Sequence, residues 1–375
     1  MRRRTFVQTS MAALGGFLLT GCTDEKLPFS GSGSSSAYDD GRQWMMPEEG
    51  QPHARTWMAF GASERIWGAE LLPEVQRNLA TIATTIARFE PVSMLVRPDE
   101  MGLAQSLIGH ANVELIPTEI DDLWMRDTGP VFVNGSGGRA GVDVNFNGWG
   151  DKQEHRRDAE VARFVTDRAR VERLETDLVL EGGGIEVDGE GTALITESCV
   201  LNNNRNPGWK KTDVEEELAY LLGIEKVIWL PGIAGEDITD GHTDFYARFA
   251  SPGVVVAGLD NDPDSFDYDV TRRHLEILHQ ATDVHDRPLR VEVLEGPSTV
   301  RETFADDDFA AGYINFYVCN GAVIAPEFGD PDTDPATRDT LQRLFPDREI
   351  VQINIDGIAA GGGGIHCTTQ QEPAA

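Results

Sequence analysis

Hydrophobic positions along the chain switch repeatedly between two periods. Leu71, Leu72, Val75, Leu79, Ile82, Ile86 and Phe89 recur at three- and four-residue steps, the pattern of a helix with one buried face. The same reasoning predicts helices over 152–170, 213–222, 269–282 and 336–345. Short runs between them, TWMAF, VSMLV, VELIP, GPVFV, KVIWL, GVVVAG and EIVQIN, read as strands. Two further pairs of apolar runs flank turn dipeptides, Asn320-Gly321 in YINFYVCNGAVIAP and Asp188-Gly189 in GIEVDGEGTALIT, and predict hairpins. Hairpins alternating with helices point to an α/β fold whose sheets mix antiparallel and parallel pairs. Composition does not change after about residue 45, so residues 44–375 read as one domain. No G-x-G-x-x-G follows a strand to open a helix, which leaves a dinucleotide site without support.

The first 43 residues follow a different logic. Residues 1–21 carry a basic start and an apolar stretch, Met11 to Leu19, well short of the roughly 20 residues that span a bilayer. Arg3-Arg4-Thr5-Phe6-Val7 resembles a twin-arginine (Tat) export signal. Leu19-Thr20-Gly21-Cys22 resembles a bacterial lipobox, in which Cys22 would carry the lipid. Residues 22–43, rich in Ser and Gly, read as a flexible tether. The expectation is an exported periplasmic or cell-envelope lipoprotein that meets the membrane only through its N-terminal anchor.

Charge narrows the partners. Sixty-three acids face 32 Lys and Arg, a formal net charge of −31; loss of residues 1–21 removes three arginines and leaves −34. Such a surface repels nucleic acid and anionic lipid and attracts cations. Only five of the basic residues are lysine, a balance that equally fits solubility in a saline setting. With Cys22 lipidated, Cys199, Cys319 and Cys367 remain, an odd number that leaves at least one free thiol. There is no C-x-x-C and the histidines are scattered, which argues against a structural zinc site.

Four segments gather polar residues beside glycine or proline: DDLWMRDTGP (121–130), LEGGGIEVDGEGT (180–192), TDGHTDFYARF (239–249) and GGGGIHCTTQQEP (361–373). Turns at strand ends present side chains to a cleft in this way. A cysteine nucleophile needs a base and a charge partner. His366 adjoins Cys367, but neighbours in an extended chain face opposite ways, so His242 of GHTD is the better partner. Asp244, two residues on, shares its face. Cys199 and Cys319 sit in apolar contexts and read as core. His274, His279 and His285 read as solvent-facing, and Asp306–Asp308 as a solvated loop.

Taken in order, these segments resemble the agmatine deiminase and bacterial peptidyl-arginine deiminase family of the guanidine-modifying (pentein) superfamily. Its members carry W-x-R-D-[ST]-G-P, L-E-G-G running on to V-D-G-E-G-T, G-H-x-D, and a terminal G-G-x-I-H-C-x-T-Q-Q. LNNNRNP (201–207), YINFYVCNG (313–321) and APEFGDP (325–331) extend the likeness, which covers residues 45 to 373. The resemblance implies a five-bladed α/β propeller, Cys367 as nucleophile, His242 as general acid/base and Glu181 as the carboxylate that orients it. Asp127 and Asp244 would hold the guanidinium, with Asp244 also counted among the catalytic groups. Trp124, Asn315, Asp237 and Asp240 are further substrate-binding candidates. No metal or cofactor is implied. The implied reaction is hydrolysis of agmatine to N-carbamoylputrescine and ammonia, a step of putrescine biosynthesis, through an S-amidino-cysteine.

Two departures bear on the substrate. The plant-type G-D-E-D-T-N-G-H is GEDITDGHTD here, with Ile238 in place of an acid. In FNGWGDKQ, Asp151 replaces the usual second glycine of a W-G-G run. Peptidyl-arginine therefore stands as the alternative substrate. Amidino transfer to an amine and a non-catalytic guanidino-solute-binding lipoprotein are the remaining rivals. The oligomeric state is open.

Overall fold

The computed structural model describes residues 43–303 and 309–374. The export signal, Cys22, nearly all of the tether and the Asp306–Asp308 run lie outside the described residues. The described chain is mixed α/β and forms five separate sheets. One pattern recurs in each: an antiparallel pair, then a helix, then a third strand parallel to the second. Val131–Gly135 and Gly138–Asp143 pair antiparallel, and Glu172–Glu175 joins after the Val161–Ala169 helix. Ile185–Val187, Thr192–Thr196 and Lys226–Leu230 repeat this around the Lys211–Leu222 helix. Ala247–Ser251, Val254–Leu259 and Arg290–Glu295 do so around Asp267–Gln280. Tyr317–Cys319, Ala322–Glu327 and Glu349–Asn354 do so around Thr333–Leu344.

The fifth sheet joins the two ends of the chain. Thr369–Pro373 pairs antiparallel with His53–Phe60, which runs parallel to Val92–Val96 across the Glu64–Ile86 helix. Val113–Pro117 extends that sheet after a helix at Met101–Ile108, which the hydrophobic pattern did not predict. TTQQEP lacks the apolar signature of a strand, yet all five residues of Thr369–Pro373 are buried. Burial is tolerable because the polar groups are bonded. Gln370 Nε2 donates to the Pro130 carbonyl at 2.9 Å, and Glu372 accepts from Trp57 Nε1 at 2.8 Å.

Two expectations need correction, the helix over 152–170 and the solvent-facing His274. The helix predicted over 152–170 is regular only at Val161–Ala169. Lys152 to Arg157 offers no apolar stripe, and the buried positions Val161, Ala162 and Val165 begin later. The hairpin at Asn320-Gly321 forms, but only Gly321 takes a positive φ (79°). Asn320 instead uses its amide to bracket the backbone of His53, accepting at 3.0 Å and donating at 2.9 Å. His274 is not solvent-facing: it is buried, packs edge-on against Tyr246 and accepts from the Gly232 amide at 3.2 Å. Burial pushes its imidazole down to about 4, so it sits neutral in the core. His279 and His285 are exposed, and Cys199 and Cys319 are buried, as the sequence indicated.

Candidate active site

Three of the four glycines of the C-terminal segment are set by close approach, and Gly362 by a positive φ of 83°. A Cβ on Gly361 would lie 2.1 Å from the Trp67 ring, one on Gly363 would lie 2.1 Å from the Trp124 ring, and one on Gly364 would lie 2.3 Å from Asn315 Oδ1. Trp67 and Trp124 are themselves pinned, both indoles donating to buried Asp122 at 2.8 and 3.0 Å. The backbone thus passes between aromatic walls into a short 3-10 turn, His366–Thr368, which delivers Cys367.

Asn315 secures the thiol from both sides. Its Oδ1 accepts from the Cys367 amide at 3.2 Å, and its Nδ2 lies 3.2 Å from Sγ. Asp244 Oδ2 lies 3.5 Å from the same sulfur. Asp244 comes from a 3-10 turn, Thr243–Phe245, that His242 caps. Asp127 comes from the short helical turn Met125–Thr128; it accepts from Trp149 Nε1 at 2.9 Å and the Gly183 amide at 3.1 Å. His242 lies between acids, Nδ1 3.8 Å from Asp127 Oδ1 and Nε2 3.3 Å from Glu181 Oε2. Cys367, Asn315, Asp244, Asp127, His242 and Glu181 are all buried. Gly183 marks where they converge: a Cβ there would sit 2.7 Å from His242 Nδ1, 2.9 Å from Asp127 Oδ1 and 3.1 Å from Asp244 Oδ2. Gly183→Ala is therefore expected to displace the imidazole and lower kcat by roughly 100-fold with the fold retained. Steady-state rates beside a circular dichroism spectrum check this.

Burial decides the charge states. It raises the Cys367 thiol well above the ordinary range, and the carboxylates of Asp244 and Asp127 add to the effect. Burial also raises Asp127, helped by Asp244 and Glu181. For His242 burial works against the imidazolium, but Asp127 and its other neighbours win and hold it well above its usual value. Burial likewise opposes the Glu181 carboxylate, which His242 and Arg205 nevertheless keep low.

Beneath these groups lies an ion network with no obvious signal in the sequence. His366 Nδ1 is 2.8 Å from Asp244 Oδ2, and its Nε2 is 2.9 Å from Glu49 Oε2. The ring therefore braces Asp244 and reaches the thiol only through it. Glu49 also accepts from Arg126 at 2.9 Å and the Val318 amide at 2.8 Å, and forms an ion pair with Arg248 at 2.8 Å. Arg205 Nε donates to Glu181 Oε1 at 2.6 Å. Arg126, Arg205 and Arg248 lie inside the quoted motifs, WMRD, NRNP and YARF. Glu49, in MPEEG, carried nothing to set it apart.

The tail candidates lie at one edge. The Asp240 carboxylate meets Lys152 Nζ at 2.8 Å, Arg205 Nη1 at 3.0 Å, Asn204 Nδ2 at 3.0 Å and the Gly235 amide at 3.0 Å. Asp237 Oδ1 caps its own loop through Thr239 and Gly241. Trp124 Nε1 is committed to Asp122. Asp151 takes φ 59° and ends a run of left-handed residues from Gly148.

Among proteins of known sequence and structure, this chain is similar to a Streptomyces coelicolor relative, 44% identical over 337 residues, 88% of this chain and 98% of the other. The agmatine deiminase of Pseudomonas aeruginosa is 38% identical over 352 residues, 88% of this chain and 95% of that one. The solved agmatine deiminase of Enterococcus faecalis superposes with a TM-score of 0.83 at 32% identity, covering 88% of this chain and 96% of its own. The sequence pattern of the Porphyromonas-type peptidyl-arginine deiminases matches residues 45–373. The chain belongs to that family.

Proposed function

We propose that this protein is a hydrolase that deiminates agmatine through a covalent Cys367 adduct. One buried atom carries the reading. Asp244 Oδ1 makes no hydrogen bond among the described residues, although its partner oxygen lies 3.5 Å from Sγ. An unpaired buried acceptor costs about 1–3 kcal/mol, and a planar cation with paired N–H donors satisfies it. Asp127 supports the second edge of the same guanidinium.

Docking the cation between two carboxylates offsets the charge that holds the thiol protonated, so Cys367 releases its proton to solvent as substrate binds. The thiolate attacks the guanidinium carbon and forms the C–S bond. His242, held as imidazolium, gives its proton to the departing nitrogen, and ammonia leaves. The neutral imidazole then takes a proton from water, whose oxygen attacks the S-amidino carbon. The C–S bond breaks as the new hydroxyl proton passes to sulfur, releasing N-carbamoylputrescine and restoring the thiol. Asp127 must be charged to bind, and its pKa is raised, so binding is expected to weaken at a higher pH than an ordinary aspartate would allow. KM should climb on mild acidification before kcat falls; a KM that stays flat down to the usual carboxylate range contradicts this.

A second reading, peptidyl-arginine, draws on the engaged acids. Asp240 and Asp237 are occupied within the protein, which favours a substrate without an amine tail. Ammonia release from agmatine, free arginine and arginyl peptides separates the two. If no guanidine yields ammonia from reduced protein, the hydrolase reading fails. The five repeated sheets are further read as blades of a ring, fastened where Thr369–Pro373 pairs with His53–Phe60. Tat export and anchoring through Cys22 belong to the same proposal and rest on the sequence of residues 1–22.

A further inference from the structure

We propose that Cys199, Glu181 and His242 form an inhibitory site for one soft divalent cation, of the chemistry of Zn2+ or Cd2+. The ligand atoms of these three buried side chains lie within 4.8 Å of one another. Glu181 Oε2 is 3.3 Å from His242 Nε2 and 3.5 Å from Cys199 Sγ. A tetrahedral zinc with bonds of about 2.0 Å to oxygen, 2.05 Å to nitrogen and 2.3 Å to sulfur would space its ligands by roughly 3.3 Å (N to O) and 3.5 Å (S to O). Both measured edges already have those lengths.

The surroundings fit as well. His242 Nδ1 faces the Asp127 carboxylate at an ion-pair distance of 3.8 Å, so an acid stands behind the ring on the side away from Nε2. Arg205 bonds Glu181 through Oε1, which leaves Oε2 as the ligand atom. Gly184 leaves room beside the cluster: a Cβ there would stand 3.5 Å from Cys199 Sγ and 3.8 Å from His242 Cδ2, in ordinary contact. The nucleophile is a separate thiol, bordered by Asn315 and Asp244.

Binding displaces two protons to solvent, one from the Cys199 thiol and one from His242 Nε2. A cation on Nε2 leaves His242 unable to carry the proton that deimination needs. Only this inhibition rests on the proposed function; the binding itself does not.

The test uses Co2+ as a visible stand-in, titrated into the Cys367→Ser variant, with Zn2+ inhibition measured in parallel on the unmodified protein. One equivalent of Co2+ should bring thiolate-to-metal charge-transfer absorption, and adding Cys199→Ser should remove it. Cys199→Ser and Cys199→Ala should each need about 100-fold more Zn2+ for half-inhibition. The proposal is overturned if Cys367→Ser gives no such band, if the band survives loss of Cys199, or if Zn2+ sensitivity is unchanged in both Cys199 variants. If no preparation turns over any guanidine, the cobalt titration still decides it.

Discussion

Replacing Cys367 with alanine is expected to abolish turnover, lowering kcat on the order of 10⁴-fold or more, while guanidine binding survives. The two functions separate because different atoms perform them. Sγ supplies the bond to carbon, whereas charge recognition comes from Asp127 and Asp244, whose turns and partners do not depend on the sulfur. Removing the thiol also relieves a group whose ionisation Asp244 and Asp127 oppose, so agmatine should bind at least as tightly to the variant. Calorimetric titration beside a single-turnover ammonia assay measures both quantities. Retained turnover would take Cys367 out of its assigned role. Loss of binding with loss of turnover would mean that the sulfur holds the carboxylates in place.

The second large effect is on stability. Glu49→Ala is expected to cost about 3–5 kcal/mol, because it strands the buried charges of Arg126 and Arg248 and removes one support of His366. An exposed pair such as Arg88 with Glu349 should shift stability by no more than about 1 kcal/mol when broken. Burial opposes the Glu49 carboxylate, but Arg248, His366 and Arg126 hold its pKa well below 4.5. A depressed carboxylate stabilises the fold fully above its unfolded value, and that stability is lost as pH falls through the lower folded value. Wild type and Glu49→Ala should therefore converge in strong acid and differ most at neutral pH. Urea unfolding at two pH values measures this. Equal midpoints at neutral pH would show that the arginines find other partners. Activity should fall as well, since His366 would no longer brace Asp244.

Some of this was legible in the residues alone. Periodicity identified the long helices and most of the hairpin strands, because these bury one face against neighbours. It failed where polar residues are buried by pairing. Thr369–Pro373 reads as a hydrophilic tail, and nothing local announces that Trp57 and Pro130 wait to bond it. Lys152 to Arg157 failed in the opposite sense, helix-forming residues with no apolar stripe to hold a helix down. At the site, glycine beside acid, histidine or cysteine singled out four turns, and the structure brings Cys367, His242, Asp127, Asp244 and Asn315 from them and from the Tyr313–Gly321 segment together. Glu49 was invisible because its importance is relational: it meets two arginines and a histidine contributed by distant parts of the chain. The glycines of 361–364 were read as room for close backbone passage, and the aromatic rings they pass are Trp67 and Trp124.

The most direct test of the central claim is to quench the enzyme in acid during turnover of agmatine and map the adduct by peptide mass spectrometry. The expected result is a single modification, agmatine less ammonia, on the peptide that holds Cys367. Ammonia release without any adduct on Cys367, or an adduct confined to Cys199 or Cys319, would contradict it.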